Sequence, residues 1–388
     1  MSIVLALCSV ILIVLVLLDG FEAMLLPRRV TRAFRFARLF YQYTWMPWSA
    51  IGRRMPAGRR REAWLSLYGP MSILVLFGAW AFGLIAGFAM LHQSLDTPLN
   101  TPGGRRDSFD YLYMSGTTFF TLGFGDVTPS DRAGRALAVI EAGIGFGFLA
   151  SMIGYLPVLY AAFSRREVTI SLLDARAGSP PSAAEGLLRV APTGGLEGVS
   201  RLLEEWERWA AEVLESHLSF PVLPFYRSQH DNQSWLAALT TILDSCALLM
   251  SRIEHAHAYQ AGLTFAMARH VAVDISQIFH AVPVEIVAPR FSDEGFRRFL
   301  DAVRASGIAV HDDAAAVAKF AELRKMYEPF VNALAHHLVL TLPPIVPGGA
   351  VVDNWQTSAW MKRTVGLHRL AYAPVFDGQS DADGAPIA

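Results

Sequence analysis

The chain has 388 residues, of which 53% are hydrophobic and 17% charged. Soluble domains carry about 25% charged residues, so the composition argues against a wholly soluble protein and equally against a disordered one. The net charge of −1 hides an asymmetry: up to Phe163, 14 arginines against 9 acids give +5, and beyond it 19 basic against 25 acidic residues give −6.

The first element is the uncharged run Met1–Leu18, with Asp19, Gly20, Phe21 and Glu22 after it. Eighteen helical residues reach about 27 Å, close to the ~30 Å hydrocarbon core. No basic residue precedes the run, so a retained membrane helix is expected over 1–26 rather than a signal peptide. Ten of the first 14 arginines then fall between Arg28 and Arg61. Within that block Arg32, Arg35 and Arg38 share a helical face, amid Phe34, Phe36, Phe40, Tyr41, Trp45 and Trp48. Such a mixture over 27–69 suits a helix in the headgroup region, or else a plain juxtamembrane connector.

Two further apolar runs follow, Met71–Leu91 and Ala133–Phe163, the latter interrupted only by Arg135 and Glu141. Arg165 and Arg166 come directly after it. Positive residues stay on the cytoplasmic side. That rule puts the N-terminus outside the cell membrane and the 28–61 block and everything beyond 163 in the cytoplasm. Cys8 and Cys246, too few for a disulfide scaffold or a four-cysteine zinc site, each lie in an apolar run where a buried, inert thiol is expected.

Between the second and third runs, residues 109–120 are apolar and aromatic but too few to cross, which fits a re-entrant segment. The segment ends in Thr121-Leu122-Gly123-Phe124-Gly125-Asp126. Glycine reaches positive φ without a Cβ clash. Glycines alternating with larger residues let successive carbonyls face one way, and several copies around an axis would make rings of oxygens that replace a cation's hydration shell. Leu122 and Phe124 would then point away and brace the run against the short helix before it. Asp126 would stand at the outer mouth.

Thr-Leu-Gly-Phe-Gly-Asp resembles the selectivity-filter signature of the pore-loop potassium channel superfamily. The setting is similar too: a helix, a short aromatic pore helix, the signature, Pro129 three residues past the aspartate, then a glycine-bearing inner helix. The resemblance covers 70–163. It implies a homotetramer with K+ bound by Thr121, Leu122, Gly123, Phe124 and Gly125, the filter supported by Asp126, Thr117, Thr118 and Glu141. Phe124 replaces the tyrosine of many members, which leaves selectivity in place but puts filter stability and inactivation in question; Phe120 stands where many members carry a second threonine.

Along the inner helix, Gly143, Gly145, Gly147 and Pro157 are hinge candidates, while Gly143 and Gly147 equally suit close helix packing. Glu141 needs a partner or water. Its alternatives are a hydrogen bond behind the filter with Thr117 or Thr118, a place facing the cavity, and a pair with Arg135 near the headgroups.

Residues 164–195 read as a linker, with a β-like run Val168–Leu173, then Gly178-Ser-Pro-Pro181 and Pro192-Thr-Gly-Gly195. A helical regulatory domain is expected over 196–374, with an amphipathic helix at 196–218 and further helices at 233–258, 260–281, 293–306 and 312–340, before a disordered tail at 375–388. Trp235–Ile253 is apolar with only Asp244 and Arg252 charged, and reads as a buried core helix rather than a fourth span. The polar run Tyr226–Trp235 is a loop with a helix N-cap, or an inter-subunit contact. Of His217, His255, His257, His270, His280, His336 and His337, His270 shares a helical face with Asp274, as metal ligands could, whereas His255 and His257 do not face each other; a metal or pH site is the alternative to ordinary polar surface or satisfied core positions.

The expectation is therefore an all-α membrane protein. Its parts are a two-helix pore module with a re-entrant pore helix and filter, one additional N-terminal helix, and a helical cytoplasmic domain. Its function would be passive K+ conduction, with no enzyme activity, no organic cofactor and no resident metal beyond K+. The lipid membrane, further copies of the chain and an unidentified cytoplasmic ligand or protein are the expected partners, and nucleic acid is not. A non-selective or Na+-permeable channel of the same fold, and a non-conducting membrane receptor or scaffold, are the alternatives.

Overall fold

The computed structural model describes residues 2–24, 35–102, 107–190, 197–230, 232–254, 257–284 and 290–348. Arg32, Phe34, the run 192–195, His255 and the tail lie outside the described residues.

The structure is mostly helical. Three helices are long and apolar enough to cross a membrane: α1 (Ser2–Met24), α3 (Arg59–Ser94) and α5 (Arg132–Ala177). α1 packs along α3 because small residues let the backbones approach. A Cβ added at Gly87 would stand 2.7 Å from the Ile13 side chain. Fully buried Asp19 joins three elements: it accepts from the Trp80 indole of α3 at 2.9 Å and from the Ala37 backbone N–H, at the start of α2, at 3.0 Å. Cys8 differs from expectation: it is exposed, on the face of α1 that no protein covers, whereas Cys246 is buried. Burial first, and Asp244 with it, pushes the Cys246 thiol far above its ordinary range.

α2 (Phe36–Arg54) begins the arginine-aromatic block's described part, with Arg35 as its N-cap. Its buried residues Ala37, Tyr41, Trp45 and Ser49 recur every fourth position, the spacing of one helical stripe. That stripe packs on protein rather than on headgroups. Trp45 lies edge-on to Tyr68, Trp48 stacks on Trp64 at 4.1 Å, and Tyr41 stacks on Phe225.

α5 runs unbroken to Ala177, through the stretch 168–173 read as β-like. Its C-terminal part buries Arg166, Ile170, Leu173 and Ala177, a 3–4 residue period. That packing overrides the β preference of Val168, Thr169 and Ile170. The expected linker 164–195 accordingly holds the end of α5 and α6 (Ala183–Val190).

Beyond it lies a helical bundle. α7 (Glu197–Ser219) and α8 (Trp235–Ser251) both pack on α9 (Ala258–Ile278), and α10 (Asp293–Ala305), α11 (Ala314–Lys325) and α12 (Glu328–Leu338) complete it. α7 buries Val199, Leu203, Trp206, Ala210 and Val213, the stripe of an amphipathic helix. α8 is buried at every position but Met250: a core helix, started by Ser234, whose hydroxyl accepts from the Ala237 N–H. The single helix expected over 312–340 is two. Pro329 has no N–H to continue a helix, yet fits the first turn of a new one.

One continuous core links bundle and membrane helices. Fully buried Arg166 donates to the Leu223 and Tyr226 carbonyls at 3.1 and 2.9 Å. Arg227 pairs with Glu62 at 3.3 Å. The Trp45 indole donates to the His337 carbonyl at 2.9 Å, and Arg53 to the His336 carbonyl at 2.7 Å. The arginine-rich segment and the bundle therefore occupy the same side of any membrane the helices cross.

His337 sits in this joint, where burial pushes it down to about 4, with Arg53 and His336 adding repulsion. An unfolded imidazole titrates near 6.5. The stability contributed by neutral His337 is thus complete above pH ~6.5 and is lost as pH falls toward 4. Thermal melts of the full chain at pH 7.5 and pH 5 are expected to differ by about 2 kcal/mol more than those of a His337→Gln variant. Equal drops in the two proteins would refute the assignment.

Candidate functional site

The site is built at the end of a short helix. α4 (Ser108–Phe119) starts with a capping box: the Asp107 carboxylate accepts from the Asp110 N–H at 3.0 Å, and Asp110 returns the bond at 3.1 Å. Twelve residues make about 18 Å of helix, too short to cross a bilayer. A two-stranded clasp, Leu99–Asn100 with Thr128–Pro129, ties the chain before α4 to the chain after it.

At the far end the helix opens into Thr121–Gly125. Thr121, Gly123 and Gly125 are left-handed, with φ of 57°, 59° and 76°. Leu122 and Phe124 between them are not. For glycine this geometry is free. For a β-branched threonine it costs about 1–3 kcal/mol, a kind of strain that clusters at functional sites. The run is held by the last turn of α4. The Thr117 carbonyl accepts from the Leu122 N–H at 2.8 Å and the Thr118 carbonyl from the Thr121 N–H at 3.0 Å. Asp126 accepts from the Tyr113 hydroxyl at 2.9 Å.

Leu122 and Phe124 do not brace the run against α4. They are 56% and 67% exposed, because no other part of the same chain reaches that side. The neighbouring α5 face is equally uncovered at Val139, Phe146 and Ile153.

Behind α4 lies a buried polar chain. Glu141, fully buried, meets the Ser115 hydroxyl in a short contact, and Ser115 also reaches the Ile85 carbonyl at 3.0 Å. His92 Nε2 stands 3.8 Å from the Glu141 carboxylate, and its Nδ1 is 3.2 Å from the Thr97 hydroxyl. Tyr111 donates to the Thr97 carbonyl at 2.9 Å. Glu141 is thus behind the helix, as one of its three alternatives had it, but its partners are Ser115 and His92 rather than Thr117, Thr118 or Arg135. Arg135 instead donates to the Pro129 carbonyl. Ser115, His92, Tyr111 and Tyr113 were missed. Ser115 sits two positions from Thr117 in an apolar helix, a signal that was available; His92 lies at the rim of a long apolar run and offered none.

The three inner-helix glycines differ. A Cβ at Gly145 would press on the Phe119 carbonyl and stand 3.0 Å from its Cα. Gly143 and Gly147 have nothing within 4 Å. Within one chain the close packing is therefore at Gly145, and α5 continues as helix through all three and through Pro157.

Among the described residues, no three His, Cys, Asp or Glu side chains converge as a metal site would require. His270 and Asp274 do meet, at 3.3 Å, with His270 exposed and Asp274 buried.

Residues 71–160 match a family model described as "Ion channel". The chain is 24% identical over 202 residues to an uncharacterized membrane protein, YdjJ, of Bacillus subtilis (strain 168), covering 50% of this chain and 57% of that one. It is 35% identical over 77 residues to protein LctB of Geobacillus stearothermophilus and 38% identical over 77 residues to LctB of Bacillus caldotenax, in each case 17% of this chain. The chain spans 57% of the length of each of these relatives. No solved structure matches it significantly. The matched stretch 71–160 begins in α3 and ends within α5, so the short helix, the Thr121–Gly125 run and the buried Glu141 cluster all fall inside a region similar to ion channels.

Proposed function

We propose that the protein is a K+-selective channel in which four copies of the chain surround one pore and ions flow passively down their gradient. The observation that carries this reading is the backbone of Thr121–Gly125, left-handed at every second residue and placed between two span-length helices. A backbone alternating in this way directs successive carbonyls to one side, and four such runs would replace the water around a dehydrated K+. Thr121, Leu122, Gly123 and Phe124 supply the oxygens, and Asp126 tethered to Tyr113 holds the outer end. Thr117 and Thr118 fix the inner end through their carbonyls. Glu141, with Ser115 and His92, pins the pore helix from behind.

The uncovered faces of Leu122, Phe124 and α5 favour further copies. An exposed apolar patch of that extent needs a partner or lipid, and a filter strand buried by neighbours is the arrangement irregular backbone at membrane depth requires. The arginine rule orients the molecule with its N-terminus outside and the bundle in the cytoplasm, where it regulates the pore.

Flux from proteoliposomes of the full chain is the test. K+ efflux that Ba2+ blocks and that Gly123→Asp reduces at least a hundredfold is expected, with Na+ carried at a small fraction of the K+ rate. Equal Na+ and K+ rates would leave a channel without selectivity. Silence from a folded tetramer, with the bundle deleted as well as present, would favour the receptor or scaffold reading.

A further inference from the structure

A cavity of about 550 Å³ lies between α2, α3, α5 and the bundle, within the range of small-molecule sites. It runs from Trp80, in the middle of the apolar run of α3, past Phe77 and Ile73 to Phe225 of the bundle. Trp45, Phe77, Trp80 and Phe225 are all buried. Phe77 packs on Trp80 at 5.9 Å and Trp45 on Phe225 at 5.0 Å. Rings held by one another in this way form fixed walls.

The charge on the lining is spent. Arg35 faces Glu22 at 3.6 Å, Arg38 donates to the His280 ring at 2.7 Å, and Arg53 donates to the His336 carbonyl at 2.7 Å. Among the described residues no aspartate or glutamate lines the cavity. The two indole N–H groups are spent as well, Trp45 on the His337 carbonyl and Trp80 on Asp19.

Two donors are not. The Tyr41 and Tyr155 side chains line the cavity, each nine-tenths buried. Neither hydroxyl makes a hydrogen bond among the described residues, and the two phenols lie near enough to interact electrostatically. Buried hydroxyls are nearly always paired, because leaving one unpaired away from water costs free energy. Two on one cavity call for an acceptor inside it.

Depth and lining exclude a charge on that acceptor. An ion at the level of Trp80 would lose its hydration within the membrane. A cation would meet arginines and no carboxylate, and an anion would find those arginines engaged.

We propose that this cavity is a binding site for a neutral, largely apolar molecule bearing a carbonyl acceptor, its body against Phe77, Trp80 and Phe225 and its oxygen bonded by the Tyr41 and Tyr155 hydroxyls. The site does not rest on ion conduction. Tyr155 belongs to α5, next to Gly154, so an occupant touches that helix together with α2, α3 and the bundle and couples them.

Benzophenone, a neutral diaryl ketone that labels the chain to which it is bound when illuminated, is the probe. The purified full chain in detergent is expected to be labelled saturably, at one probe per chain, in the α2 and α3 segments that carry Met46 and Ile73. Diphenylmethane, the same shape without the oxygen, should compete about tenfold more weakly, and charged diphenylacetate and diphenylmethylammonium more weakly still. Tyr41→Phe with Tyr155→Phe should melt with the parent, since those hydroxyls have no protein partner to lose, yet bind ketone and hydrocarbon equally. Ile73→Trp fills the cavity and should abolish the saturable label. Labelling that never saturates and spreads over α1, charged probes competing as well as the ketone, or a double tyrosine variant that melts lower or keeps the parent's preference would each overturn the proposal.

Discussion

Asp244→Ala is expected to lower the stability of the C-terminal bundle by about 3 kcal/mol, the lower end of what breaking a buried ion pair costs, because Arg290 keeps Glu328 as a partner. Asp244 lies in the middle of α8, fully buried. The Arg290 guanidinium approaches it with two nitrogens, at 2.7 and 2.6 Å, and the Tyr327 hydroxyl makes a short contact with the same carboxylate. Arg290 also bonds Glu328 at 2.7 Å, and Glu328 accepts twice from Arg324 at 2.9 Å. Burial opposes the charge on Arg290, but Asp244 first and Glu328 with it hold its guanidinium above its ordinary range. Burial likewise raises the Tyr327 phenol well above its own, so it stays a donor to Asp244. Whole domains are stable by only about 5–15 kcal/mol, so the loss should appear as a separate low-temperature transition in a melt of the full protein. Asp244→Leu with Arg290→Met should recover most of it, since a matched apolar pair removes both buried charges. A single variant that melts like the parent, or a double variant as unstable as the two singles summed, would rule out the charge network as a source of stability.

In the proposed K+ channel, Gly145→Val should reduce flux more than tenfold. The added Cβ meets the backbone of Phe119, which cannot rotate away as a side chain can. Overpacking of this kind costs about 1–3 kcal/mol, and here the displaced atoms lead directly into Thr121–Gly125. Gly143→Val provides the contrast: its Cβ meets nothing in the same chain. If both variants lose flux equally, contacts between copies or bending at these glycines matter more than the α4–α5 approach. A Gly145→Val protein with parental flux would show that the approach does not position the run.

Much of the architecture was legible because it rests on local pattern. The three spans follow from length and apolar content, α7 from its periodicity, and α8 from an apolar run too short and too isolated to be a fourth span. The Thr121–Gly125 run was visible as spacing, since only glycine tolerates φ near 60° without cost. What the sequence hid are distant pairings. Asp244 could be seen as a lone charge in an apolar helix, but its partner Arg290 lies 46 residues on and outside any helical pattern. The Arg35–Arg38 stripe suggested headgroups, while the actual buried stripe of α2 is Tyr41 and Trp45, whose partner Phe225 lies in another part of the chain. Local β propensity at 168–173 failed for the converse reason: burial of Ile170 and Leu173 in the bundle decides the conformation there.

The length of α5 has a mechanical consequence. Its 46 residues make a rod of about 69 Å, more than twice the hydrocarbon thickness. It is clamped at two levels, where Gly145 sits against the end of α4 and where Arg166 is bonded into the bundle. Between the clamps lie Gly147, Gly154 and Pro157, and a Cβ at either glycine would touch nothing in the chain. The opposite face of the same stretch is packed, with Phe148, Met152, Tyr155 and Leu159 buried. A torque applied by the bundle would therefore reach the upper clamp, and the carbonyl-bearing run beside it, along about six turns of one continuous helix.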